Sequence, residues 1–148
     1  MAPSRCPGCG HGGRGVDRIT LKALLKPRVL PVLGPGQYRF CPVSNCPVVY
    51  FGQGEPFLRQ DVLVPVFQKE TARQRTVCYC FDVSEEQIAR EVEASGVSAT
   101  AERIKGLVEA SRCACEVRNP QGGCCLGSVM VIVNGAVTRI PGEASGRT

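Results

Sequence analysis

Tryptophan is absent from this 148-residue chain, and aromatic residues make up 5% of it. Packing alone would therefore hold two half-sized domains poorly. Histidine occurs once, at position 11, which leaves no Ser-His or Cys-His arrangement to argue for nucleophilic catalysis. No glycine-rich loop with a following lysine is available to cradle a phosphate. The most apolar stretch, Ala23 to Leu33, is interrupted by Lys26, Pro27 and Arg28 and is far too short to span a bilayer. Residues 1–15 lack the apolar core of a secretory signal. The expected compartment is a reducing cytoplasm, where thiols serve metals rather than disulfides. Glu85, Glu86, Glu91 and Glu93 read as a solvated helix face and not as a carboxylate pair for acid-base work.

What the chain has in abundance is cysteine, ten residues in two groups of different spacing. The first group is Cys6-Pro7-Gly8-Cys9 with Cys41-Pro42-Val43-Ser44-Asn45-Cys46. A C-x2-C turn paired with a second short cysteine turn is the pattern of a structural four-thiolate zinc site, so Cys6, Cys9, Cys41 and Cys46 are the expected zinc ligands. Buried cysteines also occur as small apolar residues, but the flanking prolines and Gly8 favour ligand turns. His11 either replaces one thiolate or is an exposed loop residue.

The second group is Cys78-Tyr79-Cys80, Cys113-Ala114-Cys115 and the adjacent Cys124-Cys125. The C-x-C spacing is tight for a zinc turn but workable where two thiolates bind one iron of a cluster. The net charge of +5 counts every cysteine as a neutral thiol. With eight thiolates, one zinc ion and an oxidised 2Fe-2S core it falls to about +1. That change removes most of the case for nucleic-acid binding, and no Lys/Arg run interleaved with aromatics restores it.

Strand-like runs occupy Val29 to Leu33, Tyr38 to Cys41, Val48 to Phe51 and Val62 to Phe67. The polar stretch Gln68 to Thr76 has no apolar anchor and reads as a linker. Beyond Cys80 the pattern is helical: Ser84 is the expected N-cap, with Gln87 three residues on, Ile88 and Val92 inside and Gly96 at the end. A second helix is predicted over Ala99 to Ala110, carrying Ile104, Leu107 and Val108 on one face. Val129 to Val133 fits either a strand or a short helix. The expected organisation is α+β: a β-rich, treble-clef-like zinc-knuckle module over 1–70, a linker over 71–76, a helical cluster module over 77–141, and a disordered tail over 142–148.

From Val77 onward the chain resembles the bacterioferritin-associated ferredoxin family. The whole of it, over about residues 4–130, is similar to the N-terminal zinc and 2Fe-2S domain of the copper chaperone CopZ family. The residues that carry this are Cys6-x2-Cys9, Tyr38-Arg39-Phe40-Cys41-x4-Cys46, Val48-Val49-Tyr50-Phe51, Val77-Cys78-Tyr79-Cys80 and Cys115-x3-Asn119-Pro120-x-Gly122-x-Cys124-Cys125. The resemblance implies cluster ligation by Cys78, Cys80 and Cys115, with Cys125 as the fourth ligand and Cys124 as its alternative. It implies one-electron chemistry, with reduction of Cu(II) to Cu(I) for a chaperone. The partners would be a copper carrier domain, a copper-transporting ATPase system or a redox partner, with neither nucleic acid nor membrane insertion. Two departures stand out: Cys113 has no counterpart, and no C-terminal M-x-C-x-x-C copper loop is present. Cys113 and Cys124 are candidate extra thiols for Cu(I) or another soft ion held transiently, or are spare thiols. Backbone N–H groups of the Gly122-Gly123 turn are expected to donate to cluster sulfurs. A metal- or redox-responsive adaptor with the cluster as sensor, and a ferredoxin for iron release, are the alternative functions.

Overall fold

A computed structural model describes residues 4–138. The tail over 142–148 and the last residues of the module predicted over 77–141 lie outside that range. In chain order the elements are β1 (Arg14–Val16), α1 (Arg18–Leu24), β2 (Tyr38–Phe40), β3 (Val48–Phe51), β4 (Phe57–Leu58), β5 (Thr76–Cys78), β6 (Val83–Ser84), α2 (Glu85–Ser95), α3 (Ala99–Glu109), α4 (Cys115–Arg118) and α5 (Leu126–Thr138). Short 3-10 turns cover Leu30–Val32, Arg59–Asp61 and Phe67–Lys69. No described helix is long and apolar enough to cross a membrane.

The chain forms two compact units that do not follow its linear order. Among the described residues, one holds residues 4–71 with 115–123, and the other holds 72–114 with 124–138. The first is built on an antiparallel sheet in the order β1-β2-β3-β4. Arg14 pairs with Phe40, and Phe40 with Tyr50. All four residues of β3 are buried, which explains why Val48 to Phe51 is an unbroken apolar run rather than an alternating one. Leu21, Leu24 and Leu25, at helical spacing on and just beyond α1, close a core with Tyr38, Phe40, Val49, Tyr50 and Phe57. This helix was not anticipated from the sequence.

Two predicted strands are not strands. Leu30–Val32 is a 3-10 turn with Pro31 inside it, and a proline has no N–H to give a ladder. In the Val62 to Phe67 run, Pro65 has the same effect: Val62 makes one isolated bridge to Leu25, and the chain turns into Phe67–Lys69.

Segment 115–123, expected within the 77–141 module, groups with the first unit. Thr20 Oγ1 donates to the Glu116 carbonyl at 2.6 Å, Tyr50 Oη to the Pro120 carbonyl, and Gln68 Nε2 to Gln121 Oε1. Gly122 adopts φ +76°, and a Cβ there would lie 3.3 Å from both Thr20 Oγ1 and Val16 Cγ1, so only glycine suits this turn. Its N–H donates to the Asn119 carbonyl at 2.8 Å. Of the Gly122-Gly123 turn expected to donate to cluster sulfurs, the Gly122 N–H is therefore taken up locally.

The second unit pairs the β5–β6 hairpin with α2, α3 and α5. Residues 72–76, expected as a linker, are tied down: the N–H groups of Glu85 and Glu86 donate to the carbonyls of Arg75 and Arg73. Ser84 Oγ accepts the Gln87 N–H at 3.1 Å, and Gly96 ends α2 at φ +85°, as the capping pattern predicts. Val129 to Val133 is helical despite its β-branched residues. Val129, Ile132 and Ala136 make a buried stripe at helical spacing, and packing of that face outweighs local propensity. Glu91 is not part of a solvated face. Its carboxylate accepts from Ser98 Oγ at 2.6 Å and from the Thr100 N–H at 3.0 Å and Oγ1 at 2.5 Å, joining α2 to the start of α3. Burial pushes this carboxyl up, but those hydrogen bonds outweigh it and hold it below the usual range.

Candidate metal centre

The turn at Cys6–Cys9 and the loop Cys41–Cys46 bring four sulfurs together within the first unit. All four lie within 4.8 Å of one another, with Cys6 Sγ 3.7 Å from Cys46 Sγ and Cys9 Sγ 3.6 Å from Cys41 Sγ. A tetrahedral ion with zinc-sulfur bonds of about 2.3 Å needs sulfurs about 3.8 Å apart. The donor set and its dimensions therefore fit zinc.

Local sequence explains the convergence. The Gly10 N–H donates to the Cys6 carbonyl and the Cys6 N–H to the His11 carbonyl, both at 2.8 Å, which curls the first turn back on itself. Gly8 gives its N–H to Cys6 Sγ at 3.3 Å, and a Cβ on it would lie 2.9 Å from Cys46 Sγ. Beta strands set the second pair, because Cys41 follows β2 directly and Cys46 sits two residues before β3. Cys6, Cys41 and Cys46 are packed against Val48 and Phe51.

The four thiols are not equivalent. Burial pushes Cys41 up to about 12, opposed by a backbone hydrogen bond at Val43 and by the charge of Lys69. Burial likewise raises Cys46. Cys9 is exposed and its thiol is lowered, chiefly by the His11 backbone hydrogen bond. His11 is exposed, and its Nδ1 accepts the Gly13 N–H at 3.0 Å. Lys69, which reads from sequence as part of a polar linker, is buried beside Cys41. Nothing in the local pattern marks it out.

Five cysteines of the other group lie in the second unit, where they are brought together in part. Cys78 and Cys125 are both buried. A hydrogen bond shared with Cys125 brings the Cys78 thiol down to about 7 against the upward push of burial, aided by the N–H groups of Phe81 and Cys80 and by the charge of Arg103. Cys80 Sγ accepts the Ala114 N–H at 3.1 Å. Asp82, at φ +56°, turns the chain between the two strands of this hairpin. Cys113 is half-buried and Cys124 exposed, with Cys124 Sγ accepting the Leu126 N–H at 3.5 Å. Cys115 is buried at the start of α4, among the residues that group with the first unit.

Residues 3–63 match the family zf_CopZ, described as "Zinc binding domain". The copper chaperone CopZ of Archaeoglobus fulgidus is 32% identical over 121 residues, covering 82% of this chain. The chain spans 57% of that relative's length. The X-ray structure of the Archaeoglobus fulgidus CopZ N-terminal domain is similar with a TM-score of 0.73 and 28% identity, over 86% of this chain and 96% of that one. The mixed sheet-and-helix fold described above is thus similar to that of the CopZ N-terminal domain.

Proposed function

We propose, from the match of residues 3–63 to the CopZ zinc-binding domain and the similarity of 86% of the chain to the CopZ N-terminal domain, that this chain handles copper in the cytoplasm by carrying one electron. Cys6, Cys9, Cys41 and Cys46 hold a structural zinc ion. Cys78, Cys80, Cys115 and Cys125 hold a 2Fe-2S cluster, which when bound supplies an electron at a potential set by its all-thiolate ligation and surroundings. The observation that carries this reading is the contact of buried Cys78 with buried Cys125. The same contact favours Cys125 over exposed Cys124 as the fourth ligand. The N–H groups of Cys80, Phe81 and Ala114 surround these sulfurs and tune them. The electron reduces Cu(II) to Cu(I), and the product passes to a copper carrier domain or a copper-transporting ATPase.

Metal analysis of anaerobically purified protein tests this first. About two irons, two acid-labile sulfides and one zinc per chain are expected, with an EPR signal after dithionite reduction. The reduced protein should then convert one Cu(II) per chain to Cu(I), read with a Cu(I)-specific chelator. Zinc without sulfide, even after anaerobic reconstitution, would overturn the electron-carrying role and leave a structural or metal-sensing zinc protein.

A further inference from the structure

We propose that Lys69 is the buried counter-cation of the four-thiolate centre, a positioning residue that sets how tightly the centre retains zinc. The proposal rests on the zinc reading above. Lys69 ends the 3-10 turn Phe67–Lys69, and 2% of its surface is exposed. Its Nζ lies 3.6 Å from Cys41 Sγ and donates to the Val43 carbonyl at 2.6 Å. A buried ammonium is strongly disfavoured unless an anion faces it. Neighbouring Glu70 pairs with Arg59 at 2.8 Å. The acidic group that Lys69 does touch is the Cys41 thiol, itself fully buried.

With zinc bound, Cys41 would be a thiolate, an anion facing the Lys69 ammonium. Four thiolates around one zinc ion carry a net charge of about −2. The ammonium supplies compensating charge on the buried side of the centre, where water cannot. Its second bond, to Val43, lies within the loop that joins Cys41 to Cys46 and fixes that loop in the ligating conformation. Lys69 thus contributes both charge and geometry, and an uncharged side chain of equal length contributes neither.

The test uses the full chain loaded with zinc. Lys69→Met retains the apolar stem and removes the charge, whereas Lys69→Arg keeps the charge. In competition with a chromophoric chelator, Lys69→Met should bind zinc about 10- to 100-fold more weakly, with Lys69→Arg recovering most of the loss. In the Co(II)-substituted proteins, the sulfur-to-cobalt charge-transfer band should shift in Lys69→Met and stay near wild type in Lys69→Arg. Equal zinc affinity in wild type and Lys69→Met would overturn the proposal. Should Lys69→Met fail to fold, the wild-type protein decides. Of the ammonium groups of Lys22, Lys26, Lys69 and Lys105, that of Lys69 should give a slowly exchanging 1H–15N signal that collapses on zinc removal. Absence of that signal from the zinc-loaded protein would overturn the proposal. Failure of the wild-type chain to take up zinc at all would overturn the zinc reading itself, and this proposal with it.

Discussion

Replacing Thr20 by Val, Tyr50 by Phe and Gln68 by Leu in one variant removes three side-chain hydrogen bonds that help hold segment 115–123 in the first unit. Each substitution preserves shape closely and removes a donor from an acceptor on the segment: the carbonyls of Glu116 and Pro120 and the side-chain oxygen of Gln121. Pro120 and Gln121 are buried, so water does not replace the lost donors freely. At about 1 kcal/mol per bond the combined loss is about 3 kcal/mol if the three sites act independently. The amides of Asn119, Gln121 and Gly122 are themselves hydrogen-bonded within the segment, which makes them reporters of its opening. Hydrogen exchange followed by mass spectrometry should show the peptide over 115–123 exchanging about 150-fold faster in the triple variant, with β2 and β3 unchanged. An unchanged rate in the triple variant would refute the claim that these contacts hold the segment.

Three further outcomes are expected. Gly8→Ala places a Cβ 2.9 Å from Cys46 Sγ and 3.1 Å from Val48 Cγ2 and should cost about 1–3 kcal/mol at the centre. Gly15→Ala, where a Cβ meets nothing within 4 Å, should leave zinc retention against a chelator unchanged. Cys125→Ser should lose bound iron and sulfide and Cys124→Ser should keep them, as measured by iron and sulfide content after anaerobic reconstitution. Glu91 has a folded-state pKa below its ordinary value of 4.5. Its stabilising effect is therefore complete above that value and is lost as pH falls through the lower folded value. Exchange protection of α2 and α3 should thus fall as the medium is acidified through this range, and Glu91→Gln should flatten that part of the profile.

Legibility from sequence followed the range of the forces involved. The caps of α2 were readable because Ser84, Gln87 and Gly96 act on their own backbone within a few residues. The first cysteine group was readable because ligand spacing is itself a local geometric statement. Prolines 31 and 65 were present in plain view, but the apolar runs around them outweighed the missing N–H donors in the reading. Helix α1 left a signal in the spacing of Leu21, Leu24 and Leu25, hidden by the prolines and glycines that follow it. The helical state of Val129 to Val133 was not decidable locally, because it is set by packing of one face in the second unit. Lys69 and Glu91 are illegible for a single reason: a charged side chain reads as solvated, and only tertiary structure shows what faces it.

The interleaving of the two units bears on the order in which the chain is made. Gln68 and Lys69 are synthesised before the segment that Gln68 must grip, and all of β5, α2 and α3 lies between them and Gln121. At translation rates of about 5–20 residues per second, the first unit waits roughly 3–10 s for its last piece. Its four sulfurs, by contrast, are all present once Cys46 has emerged. Zinc capture can therefore precede completion of the fold around it, and a nascent chain that has already closed its knuckle protects those thiols while the second half is still being built.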